Sequence, residues 1–247
     1  MKTRGKGAFI GALIAASIAS ASAADARDLV LANEGGFPPY NRTMADGTLE
    51  GFDIDIGTRI CAIIDAHCTW VTNEWSGIIP ALRAKKFDVI IGGMGITEER
   101  KKSVIFSEPY ARSYSRFGVV EGKEIDTSPE GLAGKIVGVQ QGTTNAAYME
   151  AHYPDAKLQL YPAMDALFAD LKIGRIDAMF GGIDEAGDQK AGLVEIGKPV
   201  AVSEGIGMAF RPEDTALRDE FNAALIQLKA DGTWRALSDK WGIPVYD

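Results

Sequence analysis

Ala81-Leu82-Arg83-Ala84-Lys85-Lys86-Phe87-Asp88-Val89-Ile90-Ile91-Gly92-Gly93 and Asp170-Leu171-Lys172-Ile173-Gly174-Arg175-Ile176-Asp177-Ala178-Met179-Phe180-Gly181-Gly182 are two copies of one pattern. Each reads as the last turn of a helix with basic residues near its C-terminus, a tight turn, and a buried strand that ends in Gly-Gly. Two copies predict two similar α/β lobes. Working outward, β-rich runs at 29–32, 68–72 and 88–91 alternate with amphipathic helical stretches at 52–66 and 78–84. That alternation predicts α/β layering with mostly parallel strands.

Glycines at the carboxyl end of a parallel strand serve a tight turn or let a ligand approach the backbone. In open α/β sheets ligands bind beyond those strand ends, and here the feature occurs once per lobe, so two ends facing each other make a cleft. After Gly92-Gly93-Met94-Gly95 comes Ile96-Thr97-Glu98-Glu99-Arg100, an N-cap threonine opening a short helix. After a strand at 136–140 comes Gln141-Gly142-Thr143-Thr144-Asn145, again a glycine turn opening a helix, at 146–151. Helix starts present free N–H groups that suit an anion. Neither loop has the Gly-Lys-Ser/Thr of a nucleotide-binding loop, which leaves a carboxylate as the better ligand.

The 247 residues, 46% hydrophobic and 24% charged, are ordinary for one large or two smaller globular domains and exclude disordered and collagen-like classes. The chain starts Met1-Lys2-Thr3-Arg4-Gly5-Lys6, continues through an apolar run at 8–15, and reaches Ala21-Ser22-Ala23 before Ala24. This reads as a secretory signal peptide over 1–23 with a small-x-small cleavage site. A transmembrane anchor needs roughly 20 apolar residues, and Ser17, Ser20 and Ser22 interrupt the run too early. The segment holds Lys2, Arg4 and Lys6 and no acid, so cleavage makes a chain already at formal charge −8 more acidic still. Such a chain repels nucleic acid and anionic lipid, and a small molecule is the expected partner.

Cys61 and Cys68 are the only cysteines. In an exported chain an even pair predicts one disulfide, a clip of about 2 to 3 kcal/mol for so short a loop. The rivals are a metal pair and a catalytic thiol. With His67 and His152 the only histidines, a zinc set would need carboxylates from elsewhere, so neither metal nor cofactor is expected.

At these residues the chain resembles the amino-acid- and opine-binding periplasmic proteins of ABC importers, solute-binding protein family 3, especially the lysine/arginine/ornithine-, histidine- and octopine/nopaline-binding members. The resemblance covers residues 28–247. It rests on Gly51-Phe52-Asp53-Ile54-Asp55, the Cys61 to Cys68 spacing followed by Thr69-Trp70-Val71, and Ile79-Pro80-Ala81-Leu82. Further support comes from Ile96-Thr97 with Arg100, Val137-Gly138-Val139 with Gln141-Gly142-Thr143, and Asp231-Gly232-Thr233. It implies the two-lobed type II periplasmic binding protein fold, two Rossmann-like lobes joined by a two-strand hinge. Lobe 1 would comprise 24–111 and 205–247, lobe 2 would comprise 116–200, and the hinge would lie near 112–115 and 201–204. The protein would be a periplasmic monomer that closes on its ligand and docks on an inner-membrane permease.

The resemblance also implies residue roles. Arg100 would grip the ligand's α-carboxylate through its planar fork, with backbone N–H groups at Gly95 and Thr143 completing the cage. An arginine inside a helix start opposes the dipole, which fits an anion nearby; the alternative is a surface pair with Glu98 or Glu99. Trp75 and Phe37 would sandwich a planar or cationic group. Glu34, directly before Gly35-Gly36, would pair with a distal cation, and Gly92, Gly93 and Met94 would line the same loop, Met94 through its backbone since a methionine there more often packs than contacts. Lobe 2 would add Gln140, Thr143, Thr144 and Asn145.

Related members place an aspartate for the ligand's α-ammonium where this chain has Gly182. Its absence, with small Gly92, Gly93 and Gly95, favours a ligand bulkier at that end, an opine or other N-substituted amino acid. In the competing reading Asp184 supplies the acid and the ligand is a free polar or cationic amino acid of arginine, ornithine, histidine or glutamine type. No nucleophile elbow, metal-binding helix or Cys–His pairing is visible, so an enzyme is not expected. Two further alternatives are a dehydratase on the same fold, recruiting Glu34 or Glu185 as general acid, and a sensory domain tethered to a membrane.

Overall fold

In the computed structural model, Met1 and residues 27–112, 114–182 and 191–243 are described. The expected leader beyond Met1, Asp184, Glu185 and the last four residues lie outside them.

The first strand, β1 (Arg27–Asn33), is central because Leu29, Leu31, Ala32 and Asn33 bury side chains on both faces. A three-stranded ribbon follows, β2 (Gly36–Phe37), β3 (Asn41–Thr43) and β4 (Leu49–Glu50), leading into α1 (Phe52–Ile63). Gly51 starts that helix at φ 136, and a Cβ there would lie 2.2 Å from the Tyr40 carbonyl oxygen, so only glycine fits. Phe52, Ile56 and Ile60 recur at the helical period and bury one face of α1. The helix stops short of the expected residue 66 because Asp65 turns left-handed, φ 53, into β5 (Ala66–Thr72). Cys61 and Cys68 form a disulfide across this corner, with Cα atoms 6.2 Å apart.

Lobe 1 continues with a single 3₁₀ turn (Trp75–Gly77), α2 (Ile78–Arg83), β6 (Val89–Ile90), α3 (Glu98–Lys101) and β7 (Ile105–Phe106). The chain then enters the second sheet: β8 (Ser115–Val120), β9 (Ile136–Gln140), α4 (Thr144–His152), β10 (Lys157–Tyr161), α5 (Met164–Lys172), β11 (Ala178–Gly181) and β12 (Leu193–Val200). It returns to the first sheet through β13 (Ala209–Phe210) and finishes with α6 (Thr215–Ala230) and α7 (Thr233–Trp241).

The sheets run β5-β1-β6-β13-β7 and β10-β9-β11-β8-β12. In each, the first three strands are parallel and the fourth, contributed by a crossing segment, is antiparallel to the third. The duplicated sequence pattern is thus duplicated in space, with α2–β6 and α5–β11 in matching places. Its turns close alike: the fifth residue is left-handed in both copies (Lys85 φ 58, Gly174 φ 73). The sixth N–H returns to the first carbonyl, Lys86 to Ala81 at 3.1 Å and Arg175 to Asp170 at 2.9 Å. Asp88 Oδ2 then accepts from Val30 N at 3.0 Å, as Asp177 Oδ2 does from Ile136 N at 2.9 Å, locking β6 to β1 and β11 to β9.

Each sheet is covered on both faces. In lobe 1 Phe52, Phe210 and Phe221 pack on one side and Ile78, Leu82 and Phe87 on the other. In lobe 2 Leu167, Phe168 and Met179 oppose Phe117, Val137 and Phe180. Each such side chain contributes about 1.5 to 3 kcal/mol by leaving water. The outgoing and returning segments lie side by side, Ala111 bridging Ile206 and Ser115 pairing with Val200. Among the described residues no helix is long and apolar enough to cross a membrane.

Candidate ligand cleft

The carboxyl ends of β1, β6 and β9 and the two crossing segments converge on a cleft with about 590 Å³ of empty space. Glu34 follows β1 and therefore sits at its open end. Its Oε2 accepts from Nε2 of Gln140, the last residue of β9, at 2.8 Å, a bond between the lobes. Burial pushes the Glu34 carboxyl above its ordinary pKa, and the Gln140 bond opposes that rise.

Arg100 lies in the first turn of α3, where Thr97 Oγ1 caps the helix by accepting from Arg100 N at 3.2 Å. The guanidinium donates through Nη1 to Gly95 O at 2.9 Å and through Nη2 to Gly142 O of lobe 2 at 3.1 Å. It stands 5.3 Å from the centroid of the Trp75 ring. Among the described residues no carboxylate forms an ion pair with it, so the expected alternative with Glu98 or Glu99 is not made; those acids pair with Lys101 and Lys102. Loss of water alone lowers the Arg100 pKa to about 10. A half-buried cation held by two carbonyls retains its Nε–H and one N–H on each Nη for an anionic guest.

Trp75 opens the 3₁₀ turn, is 8% exposed, and donates its indole N–H to Gly142 O at 3.2 Å. Both Trp75 and Arg100 therefore meet lobe 2 at one carbonyl. Phe37, in β2, lies over Gly93; a Cβ on Gly93, whose φ is +64, would come within 2.5 Å of that ring. On the lobe 2 side Thr143 caps α4, accepting from Ala146 N at 3.2 Å and donating to Gln140 O at 2.7 Å. Asn145 Oδ1 accepts from the Ser115 hydroxyl at 2.6 Å.

The cleft gathers Glu34, Phe37, Trp75, Gly92, Gly93, Gly95, Arg100, Gln140, Thr143 and Asn145 from the expected set. Two expected residues are not among the described residues that line the cleft. Met94 is fully buried and packs with Ile78, Leu82 and Ile90, because its loop turns that side chain into the lobe 1 core. Gly182 follows β11 and is not among the residues lining the cleft. At each of these lobe 1 glycines a neighbour stands where a Cβ would be. Phe37 fills the space beside Gly93, Asn33 lies against Gly92, and Ser203 and Thr144 close on Gly95.

Sequence reasoning left out Tyr114, Ser115, Met164, Val202 and Ser203 and weighed Thr144 only as a secondary contact, yet all line the cleft. Tyr114, Ser115, Val202 and Ser203 lie on or beside the crossing segments. Their one signal was position, since a segment that crosses between lobes forms part of the floor between them. Met164 starts α5 and carried no signal.

Two like-ordered α/β lobes with paired crossings, meeting over a cleft that holds one cation and one anion, define a two-lobed ligand-binding protein of the type II periplasmic binding protein fold. The chain belongs to the bacterial extracellular solute-binding proteins, family 3, which match residues 29–244. It is 34% identical over 241 residues to the ABC transporter arginine-binding protein 1 of Escherichia coli K12, covering 94% of this chain and 97% of that protein. The histidine-binding periplasmic protein of the same organism is 33% identical over 239 residues, 91% of each chain. An ancestral arginine-binding protein solved with arginine superposes with a TM-score of 0.82 at 34% identity, covering 88% of this chain and 99% of that one.

Proposed function

We propose that the protein is the periplasmic binding component of an ABC importer and that its ligand is a free amino acid with a cationic side chain, arginine first. The observation that carries this reading is the charge of the cleft: among the described residues lining it, Arg100 and Glu34 are the only charged side chains. Arg100 suits an α-carboxylate, Glu34 suits a distal guanidinium or ammonium, and Phe37 and Trp75 offer aromatic faces to the stem between them. An opine of the octopine type brings a second carboxylate, for which that lining holds no second cation, while the α-ammonium of a free amino acid calls for a second acid, which the sequence offers at Asp184, outside the described residues. Phe37 beside Gly93, and Ser203 and Thr144 beside Gly95, narrow the cleft at those glycines. The arginine- and histidine-binding relatives support the free amino acid over the opine, and their periplasmic and transporter names support export and delivery to a permease.

The test is a thermal-shift screen of the mature protein against the common amino acids, ornithine, octopine, nopaline and mannopine, followed by calorimetry. A ligand that binds only the folded state raises the melting temperature by mass action. Arginine should give the largest shift. Submicromolar binding of an opine with arginine silent would overturn the ligand assignment. Incubation with arogenate or prephenate should yield no aromatic product; turnover would establish the dehydratase instead.

A further inference from the structure

The Gly51-Phe52-Asp53-Ile54-Asp55 stretch marks the family resemblance, yet none of it lines the cleft. Asp55 has a local role, its Oδ2 accepting from Lys240 Nζ and Trp241 Nε1, each at 2.7 Å, which pins α7 to α1. Asp53 is different. It is fully buried, forms no ion pair among the described residues, and sits in the first turn of α1 beneath the cleft loops. A buried carboxylate without a cation is costly unless its oxygens are fully engaged by donors.

Asp53 Oδ1 accepts from the Tyr110 hydroxyl at 2.7 Å, and the Tyr110 oxygen accepts from Gly93 N at 3.3 Å. Asp53 Oδ2 accepts from Asn41 Nδ2 at 2.9 Å, and Asn41 Oδ1 accepts from Gly35 N at 2.9 Å. Asn41 is 0% and Tyr110 1% exposed, so both links are shut off from bulk solvent. Gly35 follows Glu34 in the chain, and Gly93 is the residue on which the Phe37 ring lies. The rings of Phe37, Tyr40, Phe52 and Tyr110 form a run of successive contacts between the cleft and this relay, centroids 5.1, 6.3 and 6.0 Å apart.

We propose that Asp53 is a positioning residue for ligand binding, a buried two-armed acceptor that holds the Glu34–Gly35 turn through Asn41 and the Gly92–Gly93 turn through Tyr110 in one register. This inference rests on the reading of the cleft above. The direction of every hydrogen bond in the relay follows from the carboxylate at its centre. Asn41 must turn its amide nitrogen toward Asp53, which leaves its carbonyl oxygen for Gly35 N. Tyr110 must donate to Asp53, which leaves its lone pairs for Gly93 N. Burial without a cation raises the Asp53 carboxyl to about 7, which is the cost of keeping the acceptor there.

The polarity of the relay makes the test specific. In Asp53→Asn the side chain keeps its shape, but one orientation of its amide sets the nitrogen against Asn41 Nδ2, donor against donor, and the other sets it against the Tyr110 hydroxyl, which then loses its acceptor. Turning Asn41 over relieves the first clash and sets its own nitrogen against Gly35 N. The combined Asn41→Asp, Asp53→Asn protein restores the sequence of donors and acceptors. Tyr110 then donates to the amide oxygen at position 53, the amide nitrogen there donates to one oxygen of the carboxylate at position 41, and Gly35 N donates to the other. Tyr110→Phe removes the hydroxyl on the other arm alone.

Two readouts are needed: calorimetric Kd for arginine on the alkaline side of neutrality, and amide hydrogen exchange at Gly35 and Gly93 in the ligand-free protein. Asp53→Asn should weaken binding by roughly fivefold to tenfold and speed exchange at Gly35 or Gly93, whichever arm faces the amide nitrogen. The combined protein should recover both, and Tyr110→Phe should weaken binding and speed exchange at Gly93. Unchanged exchange and Kd in Asp53→Asn, or a combined protein no better than the single variant, would overturn the inference. Should the wild-type protein bind no amino acid, the proposed function falls, while exchange at the two glycines still decides the relay.

Discussion

Replacing Arg100 by alanine separates binding from folding. The guanidinium has its two Nη atoms engaged by the carbonyls of Gly95 and Gly142, one from each lobe, and faces Trp75. It is half-buried, and loss of water lowers its pKa to about 10, so a carboxylate placed against its remaining N–H groups would form a charge-assisted pair partly shielded from solvent. Truncating one partner of such a pair costs about 3 to 5 kcal/mol of binding, roughly a hundredfold to several thousandfold in Kd. The empty protein has no such pair to lose. It forfeits two hydrogen bonds from a charged group to carbonyls, about 1.5 to 3 kcal/mol each, and recovers the cost of desolvating a cation, which offsets much of that loss. Calorimetry should therefore show no measurable heat with arginine, while the ligand-free melting temperature stays within a few degrees of wild type. Wild-type affinity in the alanine variant would remove Arg100 from the site and, with it, the carboxylate grip. A collapse in melting temperature would show that the guanidinium holds the lobes together rather than receiving a guest.

Glu34→Gln should cost arginine about 1.5 to 3 kcal/mol of binding, as expected for a hydrogen bond to a charged group, and should spare glutamine, which has no distal cation. Burial already raises the Glu34 pKa above 4.5, and a bound cation requires the ionised form, so arginine binding releases protons. Affinity should then fall as pH drops through that raised pKa, and this slope should vanish in the Gln variant; calorimetry in buffers of different ionisation enthalpy reads both effects. Reducing the Cys61–Cys68 bond, which spans a separation of 7 residues, should lower stability by about 2 to 3 kcal/mol in denaturant melts. It should leave Kd unchanged, since the bond clips α1 to β5 and neither cysteine lines the cleft.

Features encoded over a few consecutive residues were legible before folding was considered. The Thr97 cap uses its oxygen to satisfy an N–H three residues on, so the residue type and its place before a helix suffice to find it, whereas the Thr143 cap went unread because the helix behind it was expected to start at 146 and starts at Thr144. The turn after α2 and after α5 is closed by a bond from the sixth residue to the first, and its duplication announced two lobes of one design. The inner edge of the cleft was legible for the same reason: Glu34 and Gln140 stand at strand ends that the pattern of apolar runs already marked.

What the sequence by itself determined is therefore the class of fold, the pair of loops that face each other, and the arginine and glutamate set at their ends. Only the tertiary structure decided which way side chains in irregular segments point and what fills the space a glycine leaves. The loop at 92–95 has no period from which to read direction, and packing in the lobe 1 core turned Met94 inward. Glycine is equally silent about its neighbours. At Gly93 the vacancy went to Phe37, and at Gly95 to Ser203 and Thr144, all brought from distant sequence by the tertiary fold. The relay from Gly93 to Gly35 joins Tyr110, Asp53 and Asn41 across separations of 57 and 12 residues. Its meaning resides in donor and acceptor directions that exist only once those three side chains share one dry interior.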